Sequence, residues 1–239
     1  MKKIIVLLIG IVSIFNLSSC EELEGLIGND ETIAGLKEAL VVSTDTSVFK
    51  TSKVNGFFGN AAIKILFPEE ADNIKKILEL PGINIVGEQL LNGLEVKMNE
   101  AAEKAAPLAK DIFVNTITSL TINDALSILN GEQDAATVYL RKTSDSLLYN
   151  AFYPEMKTIM ASVGADVAWN EVITHYNSPT TAAAAGLAGI TITPIDTDIS
   201  AYTTNKALDG LFHVIAKEEA KIRTDITHRV TDLLQRVFG

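Results

Sequence analysis

Between Leu91 and Ile112 the apolar positions Leu91, Leu94, Met98, Ala101, Ala105, Leu108 and Ile112 follow one another at steps of three and four. That alternation is a heptad seam, the mark of a helix that buries one narrow stripe against neighbours. Ala102, Ala106 and Ala109 lie beside the seam. An alanine projects only a methyl group, so another helix can approach closely, which places this element at the centre of a bundle. The helix is expected to begin near Ile83 to Val86. Pro107 has no N–H to give the Glu103 carbonyl, so a kink is expected there. The surrounding stretch, Leu91 to Gly164, reads as one long small-residue helix followed by shorter ones that pack on it. Ile63, Ile65 and Leu66 would suit a short extended piece, but no second strand is present to pair with it. The expected fold is all-α: a single-domain, irregular helical bundle packed around a long kinked central helix.

The chain begins with Lys2 and Lys3, an apolar run from Ile4 to Phe15, and then Leu17-Ser18-Ser19-Cys20. The apolar run is too short to span a bilayer, which takes about 20 apolar residues. It has the form of a cleaved secretory signal. Its Leu-Ser-Ser-Cys end resembles the bacterial lipobox, in which the cysteine is lipidated and becomes the first mature residue. Residues 1–19 are therefore expected to be a lipoprotein signal peptide, 20–29 a lipidated tether starting at Cys20, and 30–239 the helical domain. Glu21 follows the cysteine where inner-membrane lipoproteins carry aspartate. The acidic run Glu21-Glu22-Leu23-Glu24 resembles a surface-export signal. Both point to the outer membrane, at its periplasmic face or at the cell surface.

Cys20 is the only cysteine, so the mature domain has no disulfide, thiolate metal site or cysteine nucleophile to draw on. Its stability must come from a core. About 200 residues suffice, because a chain of that size buries roughly 70% of its unfolded surface. The formal net charge is -10, and two units more negative once Lys2 and Lys3 leave with the signal. An acidic surface without a basic, aromatic-laced stripe excludes nucleic acid as a partner. It also repels anionic headgroups, so membrane attachment is expected through acyl chains on Cys20, with an unknown protein or small molecule as further partner.

Local signals set the remaining elements. Asn29 or Asp30 suits the cap of a helix carrying Ile33, Leu36, Leu40 and Val41, with a break near Ser43 to Thr46. Asn55-Gly56-Phe57-Phe58-Gly59-Asn60 reads as a loop whose phenylalanines plug the core. Pro68 and the acids Glu69, Glu70 and Asp72 open a helix that Pro81-Gly82 ends. Thr121 and Asp124 form a capping box, and Asn130-Gly131 reads as a left-handed stop. Asp134 to Arg141 is expected to be a short helix, with Thr143 capping a second one that runs to Gly164 and bends at Pro154. A further helix covers Ala165 to Tyr176. Residues 178–194, uncharged and rich in alanine and threonine, read as a long loop. Asp196 or Asp198 caps the last long helix, whose inner face is Ala207, Leu208, Leu211, Phe212 and Ile215. Lys217 to Arg223 reads as solvated, and Asp225 to Val237 as a terminal helix.

Several separate motifs resemble, in order, the bacterial family catalogued as domain of unknown function 4197. They are Ile33-Ala34-Gly35-Leu36-Lys37-Glu38-Ala39-Leu40, Gly56-Phe57-Phe58, Met98-Asn99-Glu100-Ala101-Ala102-Glu103 and Ile128-Leu129-Asn130-Gly131. Asp134-Ala135-Ala136-Thr137-Val138-Tyr139-Leu140-Arg141, Lys206-Ala207-Leu208-Asp209-Gly210-Leu211-Phe212 and the ending Thr231 to Gly239 complete the set. The departure is the alanine-rich 178–194 segment, which the family fills with more polar or proline-rich sequence. The resemblance implies an all-helical envelope protein and no assigned activity.

No phosphate loop, dinucleotide fingerprint or Gly-x-Ser-x-Gly elbow occurs. Asp134, Thr137, Tyr139, Arg141 and Thr143 form the densest polar cluster. Arg141 suits bidentate recognition of an anionic ligand group, with Thr137, Tyr139 and Asp134 around it. The plainer reading is capping by Asp134 and Thr143, with Arg141 bridging two helices through a carboxylate. Glu171 and His175 share a helical face, but a metal site takes three or four ligands and no metal or other cofactor is expected. His213 reads as packed or half-buried, and Glu100 and Glu103 as a solvated pair. No catalytic residue is assigned. The function expected is a lipid-anchored binding or protein-interaction module of the envelope. The alternative is a hydrolase in which Glu171, His175 or His213 meets Arg141 in a cleft.

Overall fold

The heptad seam becomes a buried seam as far as the proline. In the computed structural model, which describes residues 19–68, 72–193, 195 and 197–238 with side chains from residue 30, helix α3 spans Asn84–Ala105. Leu91, Leu94, Met98, Ala101 and Ala105 are buried on it. A single 3-10 turn, Ala106–Leu108, then carries Pro107, and α4 continues as Ala109–Thr118. The tighter turn rotates the seam. Leu108 faces outward, and the stripe passes instead through Ala106, Ala109, Phe113 and Ile117. The kink is where the missing N–H placed it, but the sequence seam does not continue across it.

The protein is a single all-α domain, with no strand among the described residues. The first helix, α1 (Ser19–Thr51), starts earlier than Asn29 and runs through Ser43 to Thr46 without a break. Ser43, Thr44, Ser47 and Thr51 are buried along it. Ser47 and Thr51 give their hydroxyl protons to the carbonyls one turn back, at 2.6 and 2.8 Å. The Ser43 and Thr44 hydroxyls, inside the expected break, have no hydrogen-bond partner among the described residues, so it is the burial of this face that carries the helix through them. The expected signal peptide 1–19 lies outside the described residues except for Ser19, as does the side chain of Cys20.

The expected extended piece around Ile65 is present, and a side chain supplies what a second strand would have offered. Asn99 of α3 accepts the Ile65 N–H at 2.9 Å and donates to the Ile65 carbonyl at 2.8 Å. Two residues of the same stripe do similar work. Glu95 accepts the Phe67 N–H at 3.1 Å. Glu103, expected to be solvated, is buried and accepts the N–H groups of Asn55, Phe57 and Phe58 at 3.2, 3.1 and 3.2 Å. Glu95, Asn99 and Glu103, one turn apart, thereby hold the whole 55–67 segment on α3. Phe57 enters the core and Phe58 is half-buried beneath the Lys64 ammonium, so only one of the pair is a full plug.

Helix α2 (Asp72–Leu78) ends before Gly82, which adopts φ +94, and Glu69 to Ala71 lie outside the described residues. The Thr121–Asp124 capping box is formed at the start of α5 (Ile122–Leu129). Its end is not left-handed. Asn130 has φ -85, and its amide caps the Leu126 carbonyl at 2.9 Å. The two helices expected from Asp134 onward are one, α6 (Ala135–Val163), closed by left-handed Gly164 at φ 76. Thr143 caps nothing, because its hydroxyl donates to the Tyr139 carbonyl of its own helix at 2.9 Å.

Helix α7 (Ala165–Tyr176) follows directly. Within the expected 178–194 loop stands α8 (Pro179–Leu187), capped by Ser178 with proline in its first turn. An alanine run needs no charge to be helical, since alanine has the highest intrinsic propensity. Asp198 caps α9 (Ile199–Thr224) by accepting the Ser200 and Ala201 N–H groups, both at 3.0 Å. The inner face of α9 is the one expected, but Lys217 to Arg223 is not solvated throughout: Glu218, Glu219 and Ile222 are buried. The expected terminal helix is divided into a 3-10 turn, Ile226–His228, and α10 (Asp232–Phe238).

Helices α6 and α9 form the most extensive pair, α1 packs on α9 and α4, and α3 lies against α6 and α7. At the meeting point of three helices, Phe113 of α4 packs edge-on to Phe212 of α9, with centroids 5.5 Å apart. The Arg141 guanidinium of α6 lies over the Phe212 ring, 5.2 Å from its centroid. Among the described residues no single helix is long and apolar enough to cross a membrane.

Candidate functional site

The polar cluster at the start of α6 is organised by a residue far away in sequence. Asp134 makes no side-chain cap. The free N–H groups of the first turn go instead to the buried Glu219 of α9, which accepts from Ala136 at 3.0 Å and Thr137 at 2.8 Å. The Thr137 hydroxyl donates to the same carboxylate at 2.7 Å. Arg223, one turn along α9, donates to Glu219 at 2.9 Å and to the Ile128 carbonyl at 3.1 Å, tying α5 to the same point. A carboxylate at a helix N-terminus, paired with an arginine, satisfies both the orphan donors and the buried charge.

Arg141 is paired with Asp209 of α9 and lies 3.9 Å from Asp145. It bridges two helices through a carboxylate. Asp134, Thr137, Val138, Arg141, Asp209, Phe212, His213 and Ala216 line one shallow cleft of about 290 Å³. Tyr139 is on the other side of the helix, where burial and its hydrogen bond to Asp124 push the phenol up. Three of the four candidate binding residues are thus brought together, but Thr137 is used by Glu219 and Arg141 by Asp209. His213, expected to be packed, is exposed.

Glu171 and His175 are in a different place. They belong to a groove of about 440 Å³, lined by Leu90 of α3 and by Val167, Asn170, Glu171, Thr174, His175 and Ser178. The α7 members recur at steps of three and four, so one helical face makes the wall. Asn170, Glu171 and Thr174 make no side-chain hydrogen bond or ion pair among the described residues. The Nε2 atom of His175 is buried without a partner. Glu171 and His175 therefore do not share a cleft with Arg141; of the three residues weighed as its catalytic partners only His213 does.

A third cleft, about 330 Å³, lies on the far side of His213 and is lined by Lys50, Asn60, Ala62, Val214, Lys217, Glu218 and Lys221. Burial pushes the Glu218 carboxyl up, but hydrogen bonds from Lys221 and Lys50 outweigh it and hold the group below the usual carboxylate range. Among the described residues, no group of three or more histidine, cysteine, aspartate or glutamate side chains is placed to hold a metal ion.

The fold is that of an all-helical domain whose polar residues mostly fasten one helix to the next. The family model described as "Protein of unknown function (DUF4197)" matches residues 26–239, and the chain belongs to that family. No curated protein and no solved structure matches it. Sequence reasoning missed Glu219, Asn99 and Glu95 as organising residues. The step of four between Glu95, Asn99 and Glu103 on an otherwise apolar helix face was the available signal.

Proposed function

We propose that this protein is a lipid-anchored binding module of the bacterial cell envelope that holds a small molecule in the groove between α3 and α7. One observation carries the reading: the α7 wall presents Asn170, Glu171, Thr174 and His175, all without protein partners among the described residues, around about 440 Å³ of space. Asn170, Glu171 and Thr174 are exposed and free to take a ligand in place of water, and the buried His175 Nε2 is a polar atom for which the protein supplies no partner among the described residues. With Leu90 and Val167 supplying the apolar part, the groove suits a ligand with one apolar face and several hydrogen-bonding groups. The lipobox resemblance at Cys20 supports tethering to the outer membrane, at its periplasmic face or the cell surface. The hydrolase reading keeps one of its three expected partners, since His213 lines the Arg141 cleft, but Arg141 is held there by Asp209 and Glu171 and His175 line a different groove.

The test is native mass spectrometry of the full-length protein, extracted with detergent from its own cells. A retained small molecule that disappears in the double variant Thr174→Val, His175→Ala is the expected result. Retention of the same mass by that variant would remove the groove as its site. The intact mass also reads the anchor: cleavage before Cys20 plus a diacylglycerol is expected, and an unprocessed chain would overturn it.

A further inference from the structure

The cleft beyond His213 carries charge that the fold does not neutralise. Lys50 of α1 and Lys221 of α9 each approach the same oxygen of Glu218, at 2.8 Å. One carboxylate thus faces two ammonium groups. The exposed Lys217 lines the same cleft one turn before Lys221, and its side chain makes no ion pair or hydrogen bond among the described residues; the same is true of the exposed His213 side chain one turn before Lys217. Like charges one turn apart on a helix repel. In the neighbouring cleft Asp209 is already paired with Arg141, and Asp134 makes no ion pair with His213 or Lys217. This excess of positive charge is built into a chain whose net charge is -10.

We propose that the Lys50–Lys217–Lys221–His213 cleft is a binding site for a small oxyanion, a carboxylate or phosphate group, distinct from the α7 groove. Ammonium groups arranged around a partly enclosed space bind such oxygens by charge-assisted hydrogen bonds. The Glu218 oxygen between Lys50 and Lys221 shows the kind of contact these amines make. Lys217 and His213, with the Asn60 amide across the cleft, are the groups left to take a ligand's oxygens. The ligand offsets the repulsion that the protein leaves in place, so its binding also stabilises the fold by linkage.

The experiment uses the detergent-solubilised full-length chain, titrated with inorganic phosphate and, separately, with acetate at constant ionic strength. Binding is read by calorimetry and by the shift in thermal unfolding. Saturable binding of at least one probe is expected, weakened about tenfold by Lys217→Gln, as losing one charge-assisted hydrogen bond requires. His213→Gln should weaken it less, and the groove variant His175→Ala should leave it unchanged. Phosphate binding alone would assign the site to phosphate groups, and acetate binding alone to carboxylates. If neither probe saturates, or if Lys217→Gln, folded by circular dichroism, binds as tightly as the parent, the proposal falls.

Discussion

The carboxylate of Glu103 on α3 accepts the backbone N–H of Phe57 at 3.1 Å, so a helix side chain 46 positions away fixes the turn that delivers Phe57 to the core. The same carboxylate takes the N–H groups of Asn55 and Phe58, and Asn55 itself sits in the left-handed region at φ 62. Removing the acceptor strands the buried Phe57 donor and leaves the half-buried Phe58 and exposed Asn55 donors to water. Glu103→Ala is expected to cost about 3 kcal/mol in urea denaturation. Glu103→Gln, which keeps one acceptor oxygen, should cost less. In hydrogen exchange the Phe57 and Phe58 amides should lose protection first. A change within about 0.5 kcal/mol for Glu103→Ala would show that the turn holds itself.

A second comparison separates the position expected to cap α6 from the one that does. Glu219→Ala leaves the Ala136 and Thr137 N–H groups and Arg223 without their partner. It should destabilise by about 3 kcal/mol. Asp134→Ala, at an exposed residue making no cap, should stay within about 0.5 kcal/mol. Equal losses in the two variants would contradict the long-range cap.

Glycines on α3 give a test of opposite signs. At Gly87 a methyl group would strike the Leu78 carbonyl, which is backbone and cannot move aside cheaply. Gly87→Ala should therefore destabilise by about 2 kcal/mol or more. Gly93 is exposed in mid-helix with nothing within 4 Å of an added methyl. Gly93→Ala should stabilise by about 0.5–1 kcal/mol, because glycine has the larger conformational freedom to lose. Thermal unfolding of the two variants against the parent measures both.

Glu218 predicts a pH dependence. Its folded carboxyl titrates below the ordinary glutamate value of 4.5. A depressed carboxyl contributes stability that is fully present above its unfolded value and is lost as the pH falls through the folded one. The stability difference between the parent and Glu218→Gln should therefore be constant near neutrality and shrink as the pH drops below 4.5. Denaturation midpoints measured from neutral pH to pH 3 decide it. A difference that grows on acidification would reverse the sign.

Much of the fold was legible because its signals act within one turn of helix. Although the left-handed stop expected at Asn130-Gly131 did not form, the Thr121–Asp124 box, the Asp198 cap and the end of α6 at Gly164 rest on interactions over two or three residues. Such contacts can be read from spacing alone. The seam of α3 is equally local, and it failed only at the 3-10 turn where Pro107 changed the rotation per residue. The α8 helix was misread although Ser178, Pro179 and the alanine run stood in the order a helix start requires. Absence of charge is not a loop signal.

The sequence by itself determined that the chain would be helical, where α3, α5, α6, α7 and α9 begin, and that a small-residue helix would lie inside. It also carried the motifs of a family without assigned activity. Tertiary structure decided which polar residues are fasteners and which are free. Glu219 reads as one more charge in Lys217 to Arg223 until α6 lays its N-terminus beside it, 82 positions away from Thr137. Glu103 reads as solvated until the 55–58 turn folds onto it. Conversely Arg141, the most suggestive residue in the sequence, is taken by Asp209, while Asn170, Glu171, Thr174 and Lys217 are left unpaired among the described residues. A side chain's chemistry is set by what is buried beside it, and the distant segment that does the burying leaves no mark on the local pattern.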